Sequence, residues 1–213
     1  MSDEFELVEH DRARIKGLLR AGAFTPGRVI NLEALAERLD SNLEIVGYAL
    51  AQLTGERLVD ITNDRVRTFP AAPNDIVQLY QWQMEVVGMA LNMERTPVPF
   101  GFPANDGSVA SRTEELFLEI AAATGNSVVM EVMAQSVERL YFARRLEPGV
   151  VEPDHGELAS LRNAWVCGDI SVAKTKLKQH LQRRQACVAE LSSKWCATGD
   201  PALTHEPLRV VLP

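Results

Sequence analysis

His180 lies between Leu177 and Leu181 in a helix-patterned run, so its imidazole borders an apolar face. There it can ligate a metal, line a ligand cavity, or stay hydrogen-bonded near a core. A metal would need two or three further ligands on facing elements. His155, one turn before Leu158, is the only histidine placed to approach; His10 and His205 sit in terminal segments. Cys167, Cys187 and Cys196 are far apart without metal-like spacing, which reads as reduced, buried thiols. Nothing beside Cys167 would lower its pKa. Ser-His-Asp sets, glycine-rich phosphate loops and paired carboxylates do not stand out. No catalytic residue is therefore assigned, and no enzyme is expected.

These residues must be positioned by a chain of 213 residues, a length that suits two small domains. Hydrophobic residues make up 46% and charged residues 24%, ordinary for a globular protein with a real core in each part. The net charge is -7, and residues 1–70 hold nine Lys or Arg against twelve Asp or Glu. That balance disfavours strong phosphate binding, although the cations that face the phosphates matter more than the sum. The first residues lack the basic-then-apolar layout of a signal peptide. No run reaches the apolar length of a membrane span. A cytoplasmic protein without a membrane partner is expected.

Apolar periodicity predicts a helix over about Glu6 to Ala21, stopped by Gly22. Asn31 is the predicted N-cap of a short helix through Leu39. Ser41 followed by Glu44 has the spacing of a capping box, so another helix starts there, with Val46, Ala49, Leu50 and Leu53 on one face. The short turn between them has the spacing of a helix-turn-helix. Leu58–Thr62 and Arg65–Phe69 read as two strands around a tight Asn63-Asp64 turn. Three helices and a hairpin make the winged variant. After a Pro-containing linker all is helical. One helix is marked by Ile76 to Leu91, and Pro97 to Gly107 is a loop. Further helices are centred on Phe117, Met133 and Leu161, and a long last helix runs from about Ser171 to Trp195. The predicted fold is mainly α: a winged helix-turn-helix at 1–70, an antiparallel all-helical bundle at 75–197, and an irregular tail at 198–213.

The run Leu19-x-x-Gly22-x-x-x-Pro26-Gly27-x-x-Ile30, then Leu35-Ala36-Glu37-Arg38-Leu39 and Val46-x-x-Ala49-Leu50-x-x-Leu53, resembles the GntR superfamily of transcription regulators. Asp75 to Leu91, Ala122-Ala123-Thr124-Gly125-Asn126, and Gly168-Asp169 with His180-Leu181 resemble the effector domain (FCD) of its FadR-type subfamily. The resemblance covers about Arg12 to Leu191. It implies a ligand-responsive regulator that binds double-stranded DNA as a homodimer. It also exposes departures. Where the family has Ser-Arg-Thr-Pro-Val-Arg-Glu, this chain has Asn42 to Tyr48, with Leu43 and Gly47 in place of both arginines and Glu44 adding negative charge. The family's metal-ligand positions fall on Thr113, Phe117 and Leu158, leaving His180 alone, and its arginine in the first effector helix falls on Gln83. No metal or other cofactor is therefore expected.

The candidate DNA-binding residues are Arg28, Arg38, Asn42, Leu43, Glu44, Gly47, Tyr48, Arg65 and Arg67. The arginines suit phosphate geometry. Asn42 either reads an adenine edge or only caps its helix. Tyr48 either touches the backbone of DNA or packs against a neighbouring helix. Gly47 costs about 1 kcal/mol of helix propensity, which points to close approach of another helix or of DNA. Gln83, Phe117, Leu158, Trp165 and His180 would face the effector cavity, either collapsed or open to a more hydrophobic ligand. The alternative to a regulator is a regulator-derived interaction protein that has lost specific DNA binding.

Overall fold

Asn31 and Asn42 set the first helix boundaries in the computed structural model, which describes residues 2–63, 65–69, 72–95, 107–152 and 156–205. Both asparagines sit in extended backbone. Asn31 Oδ1 accepts from the Ala34 amide at 3.2 Å, and Asn42 Oδ1 from the Ile45 amide at 2.9 Å. They begin α2 (Leu32–Leu39) and α3 (Leu43–Gly55), which follow α1 (Ser2–Ala21). The capping box expected from Ser41 and Glu44 does not form. Asp40 takes a left-handed conformation (φ 49°) to close α2, and the Ser41 amide is spent on the Ala36 carbonyl. Capping passes to Asn42, one residue later.

Strand β1 (Val29–Ile30) precedes α2, and β2 (Val59–Thr62) and β3 (Arg65–Thr68) follow α3. The hairpin closes Thr62 on Arg65 with Asn63 at φ 51°, a conformation asparagine tolerates better than most residues. The sheet is antiparallel in the order β2-β3-β1-β4, and its last strand, Thr204–His205, comes from the far end of the chain. The expected irregular tail at 198–213 is therefore part of the winged unit over its described residues. Leu203 joins the buried cluster of Ile15, Leu35, Val46, Leu50 and Leu53, and its carbonyl accepts from the Asn31 amide. Burial of one leucine and the open edge of β1 give the segment its reason to dock. Gly199 allows the approach, because a Cβ there would fall 2.1 Å from Thr25 Oγ1. The first unit thus comprises residues 1–72 and 193–213.

The second unit, residues 73–192, is helical. It contains α4 (Pro73–Ala90), α5 (Val109–Ala122), α6 (Ser127–Leu146), α7 (Glu157–Val166) and α8 (Ile170–Ala186), and the start of α9 (Val188–Thr198). Val87, Phe117, Ile120, Met133, Val137, Leu161 and Leu177 form its core. The single last helix expected from Ser171 to Trp195 is two helices. Cys187 leaves helical geometry (φ -106°, ψ 3°), its amide bonding back to the Arg184 carbonyl. No Gly or Pro marks the break, so apolar periodicity runs through it. The loop expected at Pro97 to Gly107 lies outside the described residues up to position 106. Among the described residues, no helix is long and apolar enough to cross a membrane.

Candidate nucleic-acid interface and effector site

The exposed side of α3 is apolar and acidic. Asn42 and Glu44 are exposed, and so are about half of Leu43 and Tyr48. The Tyr48 hydroxyl donates weakly to Glu44 Oε1 at 3.5 Å. Glu44 is the only charged residue within α3. At Gly47 an added Cβ meets nothing within 4 Å, so no helix of this chain accounts for the glycine.

The arginines sit elsewhere. Arg65 and Arg67 alternate with Val66, which packs against the core, so both project from the other face of the hairpin. Arg67 pairs across the sheet with Asp60 on one side and Val29 on the other. Its Nε is buried without a hydrogen-bond acceptor among the described residues. Arg28, half-buried, directly precedes Val29 and shares backbone hydrogen bonding with Thr68. Arg38 is drawn instead to Asp200 of the C-terminal segment, at 3.3 Å. The structure thus gathers Arg28, Arg65 and Arg67 on the wing sheet and separates them from the cation-free helix α3.

In the second unit, polar side chains enter the helical core in a chain. Tyr80 of α4 donates to Glu147 Oε1 at 3.0 Å. Arg184 of α8 donates to both oxygens of Glu147, at 3.1 and 2.8 Å, and through Nη1 to Glu157 Oε2 at 2.9 Å. Glu157, the first residue of α7, also meets His180 Nδ1 at 2.9 Å and Arg183 at 3.0 Å. Burial and the nearby Arg184 charge push His180 down to about 4, so the ring is neutral near pH 7. Burial alone would raise Glu157, but the hydrogen bond from His180 and the charges around it hold that carboxyl at about 2. A second line starts at Gln83, which donates to Ser136 at 3.1 Å and accepts from Arg144 Nη2. Arg144 is 1% exposed. Its guanidinium carbon lies 5.9 Å from the centre of the Tyr80 ring and 5.5 Å from that of Phe117.

A cavity of about 200 Å³ opens beside this network, lined by Arg112, Glu147, Glu157, Leu158, Arg183 and Arg184 among others. Of the five residues expected at the effector cavity, Leu158 borders it. Gln83, Phe117 and His180 lie buried in the polar chain behind it, Phe117 and His180 in edge contact at 5.8 Å. Trp165 is in the apolar core, with the Arg95 guanidinium 5.1 Å from its ring centre. Sequence reasoning missed Arg144, Glu147, Glu157 and Arg184. Their signal was weak: charged residues at positions that follow helical periodicity inward. Thr113, at one of the family's metal positions, turns its hydroxyl to the Val109 carbonyl. Among the described residues no three His, Cys, Asp or Glu side chains gather as a metal site; His155 is outside them.

Neither protein-family models nor curated proteins yield a match. Solved structures do. McbR/YncC of E. coli is 16% identical, with a TM-score of 0.58 over 86% of this chain and 97% of its own. A transcriptional regulator GntR from Rhodococcus sp. RHA1 is 18% identical, with a TM-score of 0.60 over 89% of this chain and 99% of its own. This chain shares its fold with these two proteins. At such identity the likeness concerns backbone architecture, and it covers both units. In this chain the two units are built by α1–α3 with the sheet and by α4–α8.

Proposed function

We propose that this protein is a transcription regulator of GntR type, FadR-like in its helical unit, which binds double-stranded DNA as a homodimer and changes its affinity when a small molecule enters the bundle. The observation that supports it best is the joint presence of a winged helix-turn-helix and a helical unit holding a buried polar cluster beside a cavity. Two-fold symmetry would set two recognition helices on successive major grooves of a pseudo-palindromic site. Because α3 carries no cation, Arg28, Arg65 and Arg67 supply the phosphate contacts. Asn42, Leu43, Glu44, Gly47 and Tyr48 then reach base edges by an apolar and acidic surface, Leu43 and Tyr48 meeting thymine methyls. The protein acts in the cytoplasm, without catalysis.

The test is binding of the purified chain to genomic DNA fragments across a salt series. A protected site should appear, and its affinity should fall with salt less steeply than for a recognition helix rich in arginine. Arg65→Ala with Arg67→Ala should reduce that slope by about two. The exposed Leu43 and Tyr48 and the single acid Glu44 favour one competing reading: an interaction protein derived from a regulator. Absence of any footprint at low salt would select that reading.

A further inference from the structure

The register of the wing sheet brings residues from three strands and the far end of the chain into one row. Val29 of β1 pairs with Arg67 of β3 on one side and with His205 of β4 on the other, and Arg67 pairs in turn with Asp60 of β2. Residues directly opposite one another on paired strands point to the same face. Asp60, Arg67, Val29 and His205 therefore share a face. In the adjacent row Ile30 and Thr204 are buried, so the row of Arg67 and His205 is the outer one. Arg65, two residues from Arg67 on β3, stands on that outer face as well. His205 is exposed.

The cations of this face are unspent. Among the described residues Arg65 and Arg67 form no ion pair, and Arg67 Nε is buried without an acceptor. Asp60, although opposite Arg67 in register, accepts from the Thr62 hydroxyl at 3.0 Å. Arg38 differs, because Asp200 already holds it. Free guanidinium groups suit phosphate oxygens, and an imidazole adds a further N–H donor. Arg67 and His205 are two strands apart, about 10 Å along the row. Duplex DNA carries a charge about every 1.7 Å of its axis, so a row of that length spans more than one phosphate.

We propose that the C-terminal strand is part of the DNA-binding surface, with His205 donating to a backbone phosphate beside those held by Arg65 and Arg67. The strand is placed by Leu203, 1% exposed in the winged core, and by Gly199, where a side chain would strike Thr25. The inference rests on the regulator reading and deepens it by one contact residue and the segment that carries it. Phosphate contacts hold no sequence information, so any duplex reports them and the operator need not be known.

The intact chain is titrated onto a labelled mixed-sequence DNA duplex, with fluorescence anisotropy read between about 50 and 200 mM salt. His205→Glu should weaken binding on the order of tenfold at the lowest salt and lower the salt slope by about one. His205→Lys should tighten binding. Gly199→Val, which displaces the strand and leaves the face itself unaltered, should lose the same contact. Lys178→Glu, an exposed change of α8 in the other unit, controls for net charge and should leave the slope as it is. Parent binding that the His205 variants leave unchanged overturns this proposal alone, and so does a Lys178→Glu effect as large as that of His205→Glu. A Gly199→Val protein with full affinity overturns it too. Absence of duplex binding by the parent and every variant at low salt overturns it together with the regulator reading.

Discussion

His180 and Glu157 tie stability to pH. His180 titrates near 4 in the folded chain and near 6.5 unfolded, so the unfolded state binds the extra proton between those values. Stability is complete above about pH 6.5 and falls as pH drops towards 4. Glu157, lowered from 4.5 to about 2, adds to the loss only below about pH 4.5. The charged groups facing His180 are Arg184, Glu157 and Glu147. The midpoint of thermal unfolding should therefore decline between pH 6.5 and 4.5, and His180→Gln should flatten that decline. A curve that is already flat in the parent protein contradicts the assignment. Ion pairs at two depths should separate clearly by urea denaturation. Arg184→Met strands Glu147, buried to 3%, and is expected to cost about 3–5 kcal/mol. Arg38→Ala breaks the exposed pair with Asp200 and should cost less than about 1 kcal/mol.

Helix α3 owes its start to one side chain. Asn42→Ala should lower stability by about 1 kcal/mol, while Ser41→Ala should change it little, which urea titration of both variants decides. The same helix shows how local rules mislead by one residue. Ser and Glu three apart suit a capping box, but the left-handed Asp40 that ends α2 moves the chain past Ser41 before α3 can begin. The break at Cys187 is a similar case. Leu177, Leu181, Leu191 and Trp195 read as one stripe, and only the backbone shows two helices. At the sheet, β4 adds a strand whose two residues, Thr204–His205, have no period to read. Gly199→Val would drive a side chain into Thr25 and release that strand. Limited proteolysis should then cut after α9 while leaving the parent chain intact.

For the molecule as a whole, the regulator reading makes the oligomer a measurable matter. Sedimentation should give a dimer, since a two-fold site needs two winged units. A monomer at micromolar concentration with an intact DNA footprint would remove the symmetric scheme.

What the amino-acid sequence by itself determined is the order of elements. Gly22, Pro26, Asn31, Asn63 and Gly125 punctuate the chain. Leu35, Val46 and Leu50, then Phe117, Met133 and Leu161, give each helix a face to bury. These are short-range properties of backbone freedom and apolar spacing. What only the tertiary structure decided is which polar groups meet inside. Gln83, Arg144, Glu147, Glu157, His180 and Arg184 come from four helices and the residue that caps one of them, and in sequence Arg144, Glu147, Glu157 and Arg184 pass for ordinary solvated residues. The docking of Leu203 and β4 on the winged unit is equally long-range. Pairings over such separations follow from tertiary packing, and no local pattern encodes them.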